Sequence, residues 1–202
     1  MFGRILMLGF FSIILSSCGS PDPSQDSELE AIPRDLIVCL KGGSCAGYKV
    51  ANRTNASNFG AVFNTLWENY SDDPVSDNVK AEIGGNVNAA WITNTCVIRT
   101  SQAMNAAGGT FAIPSNFAGL ETVKGKDGRR YAFRVVELAK YLLATYGRPQ
   151  VTSSAGAIGH RGVILFDREG WSDANGHFDI WNGTSVKYSD YSSTSTNVFV
   201  WQ

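Results

Sequence analysis

Two residues of this chain suit nucleophilic chemistry, and their surroundings suggest how they would be used. Cys96 stands in Asn94-Thr95-Cys96-Val97-Ile98-Arg99-Thr100-Ser101, where a helix is expected to begin. A thiol at a helix N-terminus sits at the positive end of aligned peptide dipoles, so its pKa falls and more of it is thiolate, the attacking species. The backbone N–H groups of the same helix start can receive the negative charge of a tetrahedral intermediate. Such a sulphur needs a base beside it and must be reachable from outside. The chain has only two histidines, His160 and His177. The other reading of Cys96 is a small buried residue at a helix start.

His177 lies in Gly176-His177-Phe178-Asp179-Ile180-Trp181-Asn182-Gly183, whose last two residues signal a two-residue hairpin turn. That turn would set Trp181 opposite Thr184 and His177 opposite Tyr188. Side chains alternate between faces along a strand, so Asp179, Trp181, Tyr188 and Asp190 would share the face of His177. Phe178 and Ile180 would point to the core. Asp190 becomes the diagonal neighbour of His177, at roughly 7–8 Å between backbones, and is the expected third catalytic residue; Asp179 is the fallback. A cysteine on an early helix, a histidine on a later strand and a polar orienter on the next is the papain-like order. Arg99, one turn after Cys96, would either grip a substrate carboxylate or make a structural ion pair. Trp181 would wall the cleft or pack in the core. His160 reads as a loop residue ahead of a strand.

Elements on both sides must hold these groups. Phe59, Val62, Phe63, Leu66, Trp67 and Tyr70 recur at helical spacing, with Ser57 or Asn58 as cap. The next stretch, through Gly84-Gly85 to Trp91, reads as loop. A second helix is expected from Thr95 or Cys96 to about Ala106, stopped by Gly108-Gly109. A third is expected through Tyr131, Val135, Leu138, Leu142 and Tyr146, ended by Gly147 and Pro149. Then the period changes, with β runs at 161–166, around His177 and at 197–201. Helices first and antiparallel strands after make an α+β domain.

The ends and the remaining cysteines speak to location. Arg4, an apolar run over 5–15 and Leu15-Ser16-Ser17-Cys18 have the form of an export signal, too short to span a bilayer. The last four residues resemble a bacterial lipobox, which implies lipidation of Cys18; an ordinary signal peptide is the alternative. Residues 1–18 are thus expected to be a lipoprotein signal and 19–34, rich in Ser, Pro and acidic residues, a flexible tether. Residues 35–202 suffice for one domain. Cys39 and Cys45 flank Gly42-Gly43 and form either a local disulfide, as suits an exported protein, or two buried thiols. Four zinc ligands cannot be assembled with two histidines. A net charge of −1 with no basic run argues against nucleic acid as a partner.

The motifs "EIGGNVN", "NTCVIRTSQAMN", "YAFRVVELAKYL" and "RGVILFDREGWSDANGHFDIWNG" resemble the fourth family of type VI secretion amidase effectors, relatives of the NlpC-type wall peptidases. The likeness extends over 58–202. It implies a papain-like fold and an antibacterial amidase that cuts the γ-D-glutamyl–meso-diaminopimelate bond of peptidoglycan stem peptides. Cys96 matches the family nucleophile and His177 the base. Asp190 falls where the family has its acid, although the spacing after the turn is two residues longer. No cofactor or metal is implied, and a cognate immunity protein is a typical partner. Secreted effectors of this family generally need no signal peptide, because the injection apparatus delivers them, so the lipobox suggests a resident wall-remodelling enzyme, a toxin on an altered route, or an acquired gene in new use. In each case the protein would be exported and anchored in a membrane by lipid, facing the periplasm or wall. The competing class is a catalytically silent peptidoglycan-binding lipoprotein that keeps the fold as scaffold.

Overall fold

A computed structural model describes residues 58–149, 153–167, 176–195 and 197–202. The expected export signal and tether, with Cys18, Cys39 and Cys45, lie outside the described residues. Four α-helices and five strands are described: α1 (Phe63–Asn69), α2 (Ser76–Ile83), α3 (Cys96–Ala107), β1 (Thr122–Lys124), β2 (Arg130–Ala132), α4 (Val135–Tyr146), β3 (Gly162–Asp167), β4 (Gly176–Trp181) and β5 (Asn197–Trp201).

The first helical stretch opens as a 3-10 turn at Phe59–Val62, where Asn58 Oδ1 accepts the Ala61 N–H at 3.2 Å, and continues as α1. Its apolar stripe of Phe59, Phe63, Leu66 and Tyr70 is buried, as the spacing predicts. α3 spans nearly the expected residues, with Gly108 as its C-cap. It is the central helix of the domain and packs on α1, β2 and β4. Because it is surrounded, its polar side chains must find partners inside the protein. Ser101 Oγ accepts the Ala132 N–H at 3.1 Å, and Asn105 donates to Arg130 O at 2.7 Å and accepts from Ile113 N at 2.9 Å. Those bonds fix the helix against β2.

The structure corrects two expectations here. Residues 76–83, expected as loop, form α2, which buries Val79 and Ile83 one turn apart. Asp73 stabilises its start: Oδ1 accepts from Val75 N at 2.8 Å and Oδ2 from Asn78 Nδ2 at 3.1 Å. The Val75 bond, with Asn78 assisting, holds the Asp73 carboxyl below its ordinary pKa. Tyr131, expected at the head of the third helix, is instead in β2, paired with Val123. The reason is the turn at Asp127-Gly128, where Gly125 N donates to Arg129 O at 3.0 Å and Asp127 Oδ1 accepts from Arg129 N at 3.0 Å. A short β-hairpin thus replaces the first turn of the helix, and α4 starts at Val135.

β3, β4 and β5 form an antiparallel sheet in the order β4-β3-β5. One face, with Val163, Leu165, Phe178, Ile180, Phe199 and Trp201, joins the main core with residues of α1, α3 and α4. The other carries Ile164, Phe166 and Trp181 together with Val198 and Val200 in a smaller buried cluster. β4 is an edge strand, and α3 lies against it. The cysteine's helix and the histidine's strand are therefore neighbours.

Candidate active site

α3 starts at Cys96, and the local sequence shapes that start. Asn94 Oδ1 accepts the Cys96 N–H at 3.0 Å, while Arg99 N donates to Thr95 O at 2.8 Å to close the first turn. The first helical N–H, expected to serve an oxyanion, is thus held by the Asn94 amide oxygen. Cys96 belongs to the same buried cluster as Phe178 and Ile180 of β4.

His177 owes its position to the glycine before it. Gly176 has φ +156°, and a Cβ there would lie 2.7 Å from Phe166 O. Only glycine lets β4 begin this close to β3, with His177 directly across from Phe166. The imidazole is flanked by the Phe166 ring, 6.3 Å between centroids, and the Tyr191 ring, 4.8 Å away. Its Nε2 lies 3.3 Å from Asp179 Oδ2. Asp179 is two residues along the same strand, and period-two alternation puts both side chains on one face.

Asp179 is fully enclosed by donors. Oδ1 accepts from Ile180 N at 2.7 Å, Lys187 N at 3.1 Å and Tyr188 N at 3.3 Å. Oδ2 accepts from Tyr188 N at 3.2 Å and Ser189 N at 2.9 Å. Four backbone amides converge on one carboxylate, and they fix the oxygen that faces His177. Charge-assisted bonds of this kind are stronger than neutral ones.

Asp190, the expected third residue, is not brought to His177. It is exposed, and its Oδ1 accepts from Ser192 N at 2.8 Å. The cause is where the chain leaves the strand after the turn. Asn182 is not at positive φ, as a type I′ turn requires of its first central residue, although Gly183 is at +103°. Instead Asn182 Oδ1 accepts from Thr184 N at 2.9 Å and Ser185 N at 2.8 Å, and Asn182 N donates to Ser185 O. The loop gains two residues, Trp181 faces Val186, and Lys187 N meets Ile180 O. Beyond Val186 the chain curls around the Asp179 carboxylate instead of continuing as a strand.

Arg99 and Trp181 are equally clear. Arg99 is 0% exposed and donates to Ser71 O at 2.7 Å and Thr95 Oγ1 at 3.2 Å, so it is closed to a substrate carboxylate. Neither is it in an ion pair with any described residue. Trp181 is buried in the smaller cluster and donates to Ala157 O at 2.7 Å, so it packs the sheet and does not wall a cleft. His160 Nδ1 lies 2.7 Å from Gln202 Oε1, on the loop before β3.

Cys96 and His177 both have 0% exposure. The sulphur, expected to be reachable from outside, is thus buried.

A protein-family model described as type VI secretion system (T6SS), amidase effector protein 4 (Tae4), matches residues 92–201. Among solved structures, the chain is similar to Tae4 in the Tae4–Tai4 effector–immunity complex from Enterobacter cloacae, at 31% identity and TM-score 0.60, covering 72% of this chain and 97% of that one. The effector Tae4 from Salmonella typhimurium, in complex with the immunity protein Tai4 from Enterobacter cloacae, is 29% identical with TM-score 0.64, covering 69% and 96%. The type VI effector Tae4 from Enterobacter cloacae is 30% identical with TM-score 0.61, covering 76% and 98%. No curated protein matches the chain. Helices packed on an antiparallel sheet, the family match over 92–201 and the likeness to these effectors along almost their whole length agree: the chain belongs to the type VI secretion system amidase effector 4 family.

Proposed function

We propose that this Tae4-family amidase is a papain-like cysteine enzyme that hydrolyses the γ-D-glutamyl–meso-diaminopimelate bond of peptidoglycan stem peptides. The observation that carries this reading is the His177–Asp179 contact on the strand packed against the helix of Cys96. With Nε2 turned to Asp179, Nδ1 is the imidazole nitrogen to serve the thiol. The Cys96 thiolate attacks the γ-carbonyl, forming a C–S bond and a tetrahedral oxyanion. For the oxyanion to use the Cys96 N–H, it must take that donor over from Asn94. Collapse breaks the C–N bond, the His177 imidazolium protonates the departing amine, and a thioester remains. His177 then takes a proton from water, hydroxide adds to the thioester, and the thiolate leaves and restores the starting pair.

The test is mass analysis of muropeptides after purified protein meets sacculi with diaminopimelate stems. Expected products end in a free γ-carboxyl on D-glutamate and a free amine on diaminopimelate. Cleavage at another bond would reassign the substrate. The burial of Cys96 favours a second reading, a catalytically silent wall-binding protein on the same scaffold, for which sacculi stay intact while the protein sediments with them. A Tai4-type immunity protein is the proposed partner, and adding one should suppress muropeptide release in the same assay; undiminished release in a stable complex would remove it as an inhibitor.

We further propose that residues 1–18 are a lipoprotein signal and that Cys18 carries the anchor that holds residues 35–202 at a membrane surface, through the tether 19–34. Globomycin should then cause the unprocessed precursor to accumulate. Normal maturation in the drug would remove Cys18 from that role.

A further inference from the structure

Arg99 is a buried cation whose partners, among the described residues, include no carboxylate in ion-pair contact. Its charge is met by the Ser71 carbonyl, the Thr95 hydroxyl and the face of the Tyr188 ring, 4.4 Å from Cζ to centroid, with the Asp73 carboxylate near enough to be felt but beyond ion-pair contact. Burying a guanidinium on such terms is costly, and an apolar side chain would fill the space at less expense. Its presence is explained by what its contacts hold together.

Each contact reaches a different element. Thr95 immediately precedes Cys96, and its hydroxyl also meets Ser76 Oγ of α2 at 3.0 Å. Ser71 belongs to the segment between α1 and α2. Tyr188 is the middle one of the three loop residues, 187–189, whose amides together with that of Ile180 surround Asp179. The 187–189 loop leans on the 71–74 segment through Lys187–Asp72 at 3.3 Å and Tyr188 OH to Pro74 O at 3.5 Å. The Lys187–Asp72 pair involves a largely exposed carboxylate and is screened by solvent. The Arg99–Tyr188 contact is the desolvated one, and cation–π contacts gain when water is excluded.

We infer that Arg99 is a positioning residue which, through Tyr188, locks the amide loop around Asp179 to the helix that presents Cys96. It sets the distance and angle between the sulphur and the imidazole without touching either. One guanidinium joins the nucleophile's helix to the acid's loop, so a shift of either carries the other with it. This inference rests on the Cys96–His177–Asp179 reading.

The experiment is steady-state muropeptide release by Tyr188→Ala, Tyr188→Phe and Arg99→Met, with Tm recorded for each. Loss of the aromatic face under the guanidinium should lower kcat by about tenfold with KM changed less than about twofold, the pattern of a misplaced catalytic group rather than a damaged binding surface. Tyr188→Phe keeps the ring and should recover most of the kcat lost in Tyr188→Ala. Arg99→Met should match Tyr188→Ala; Tyr188 is only half-buried, so its variants answer the question if Arg99→Met does not fold. A folded Tyr188→Ala with wild-type kcat overturns the inference, as does a Tyr188→Phe as impaired as the alanine variant. Cys96→Ala, run alongside, separates the two levels. If it remains active, the cysteine mechanism falls; if it is inactive while Tyr188→Ala is fully active, only the role of Arg99 falls.

Discussion

Replacing Cys96 by alanine should abolish muropeptide release, lowering turnover by about 10⁴-fold or more, the usual result of deleting a covalent nucleophile. The protein should stay folded. Cys96 is a small residue inside a large cluster of aliphatic and aromatic side chains, and removing one sulphur there costs on the order of 1 kcal/mol. The backbone bond from Cys96 N to Asn94 Oδ1 does not depend on the side chain and remains. Turnover equal to wild type in a folded Cys96→Ala protein would refute the cysteine mechanism. Because the thiol has no exposed surface, the same variant needs a companion measurement on the wild type. Iodoacetamide labelling followed by peptide mapping should show Cys96 modified under native conditions, with activity lost in step. A thiol inert until the protein unfolds, joined to intact sacculi, would favour the silent scaffold.

The second large effect belongs to Asp179. Asp179→Asn should lower kcat by about 10²–10⁴-fold, the range seen when the residue that orients a catalytic histidine loses its charge. Asparagine keeps the shape but turns one acceptor oxygen into an amide donor. Ile180, Lys187, Tyr188 and Ser189 all present N–H groups to this carboxylate, so the new NH₂ must face donors on either side. It either collides with the amide loop or turns away and leaves buried N–H groups unsatisfied, at about 1–3 kcal/mol each. Asp190→Ala should keep turnover within about twofold of wild type, because it removes only a surface bond to Ser192 N. The order of effects is the decisive reading. Greater loss in Asp190→Ala than in Asp179→Asn would return Asp190 to the site.

How far the site was legible depended on how local each signal is. Gly176-His177-Phe178-Asp179 states in sequence that a histidine and an acid share one strand face, because alternation is a property of any strand. The choice between Asp179 and Asp190 was not legible, since it turned on where the chain leaves the strand after the hairpin turn. Asn-Gly suits a two-residue turn, yet the Asn182 side chain accepted the Thr184 and Ser185 amides and made a longer loop. Carried on as a strand, that register would set Asp190 opposite His177, but the chain after Val186 leaves the strand, wraps the 187–189 amides around Asp179 and leaves Asp190 exposed. The place of Arg99 was not legible for a related reason. One turn after Cys96 its position suits a substrate contact or a structural ion pair equally, and only the packing of α3 against α1, β2 and β4 buries it completely.

The sequence by itself determined the limits of α3, the apolar runs of β3 and β5, the buried stripe of α1 and the type of residues available for catalysis. These follow from caps, glycines and periodicity within a few positions of each residue. Tertiary structure decided that Arg130–Ala132 would pair as a strand, that residues 76–83 would coil into α2, which acid would meet His177, and that Cys96 and His177 would lie under cover. Each of those outcomes was set by hydrogen-bond partners and neighbours far along the chain, where short-range pattern carries no information and the satisfaction of buried polar groups makes the choice.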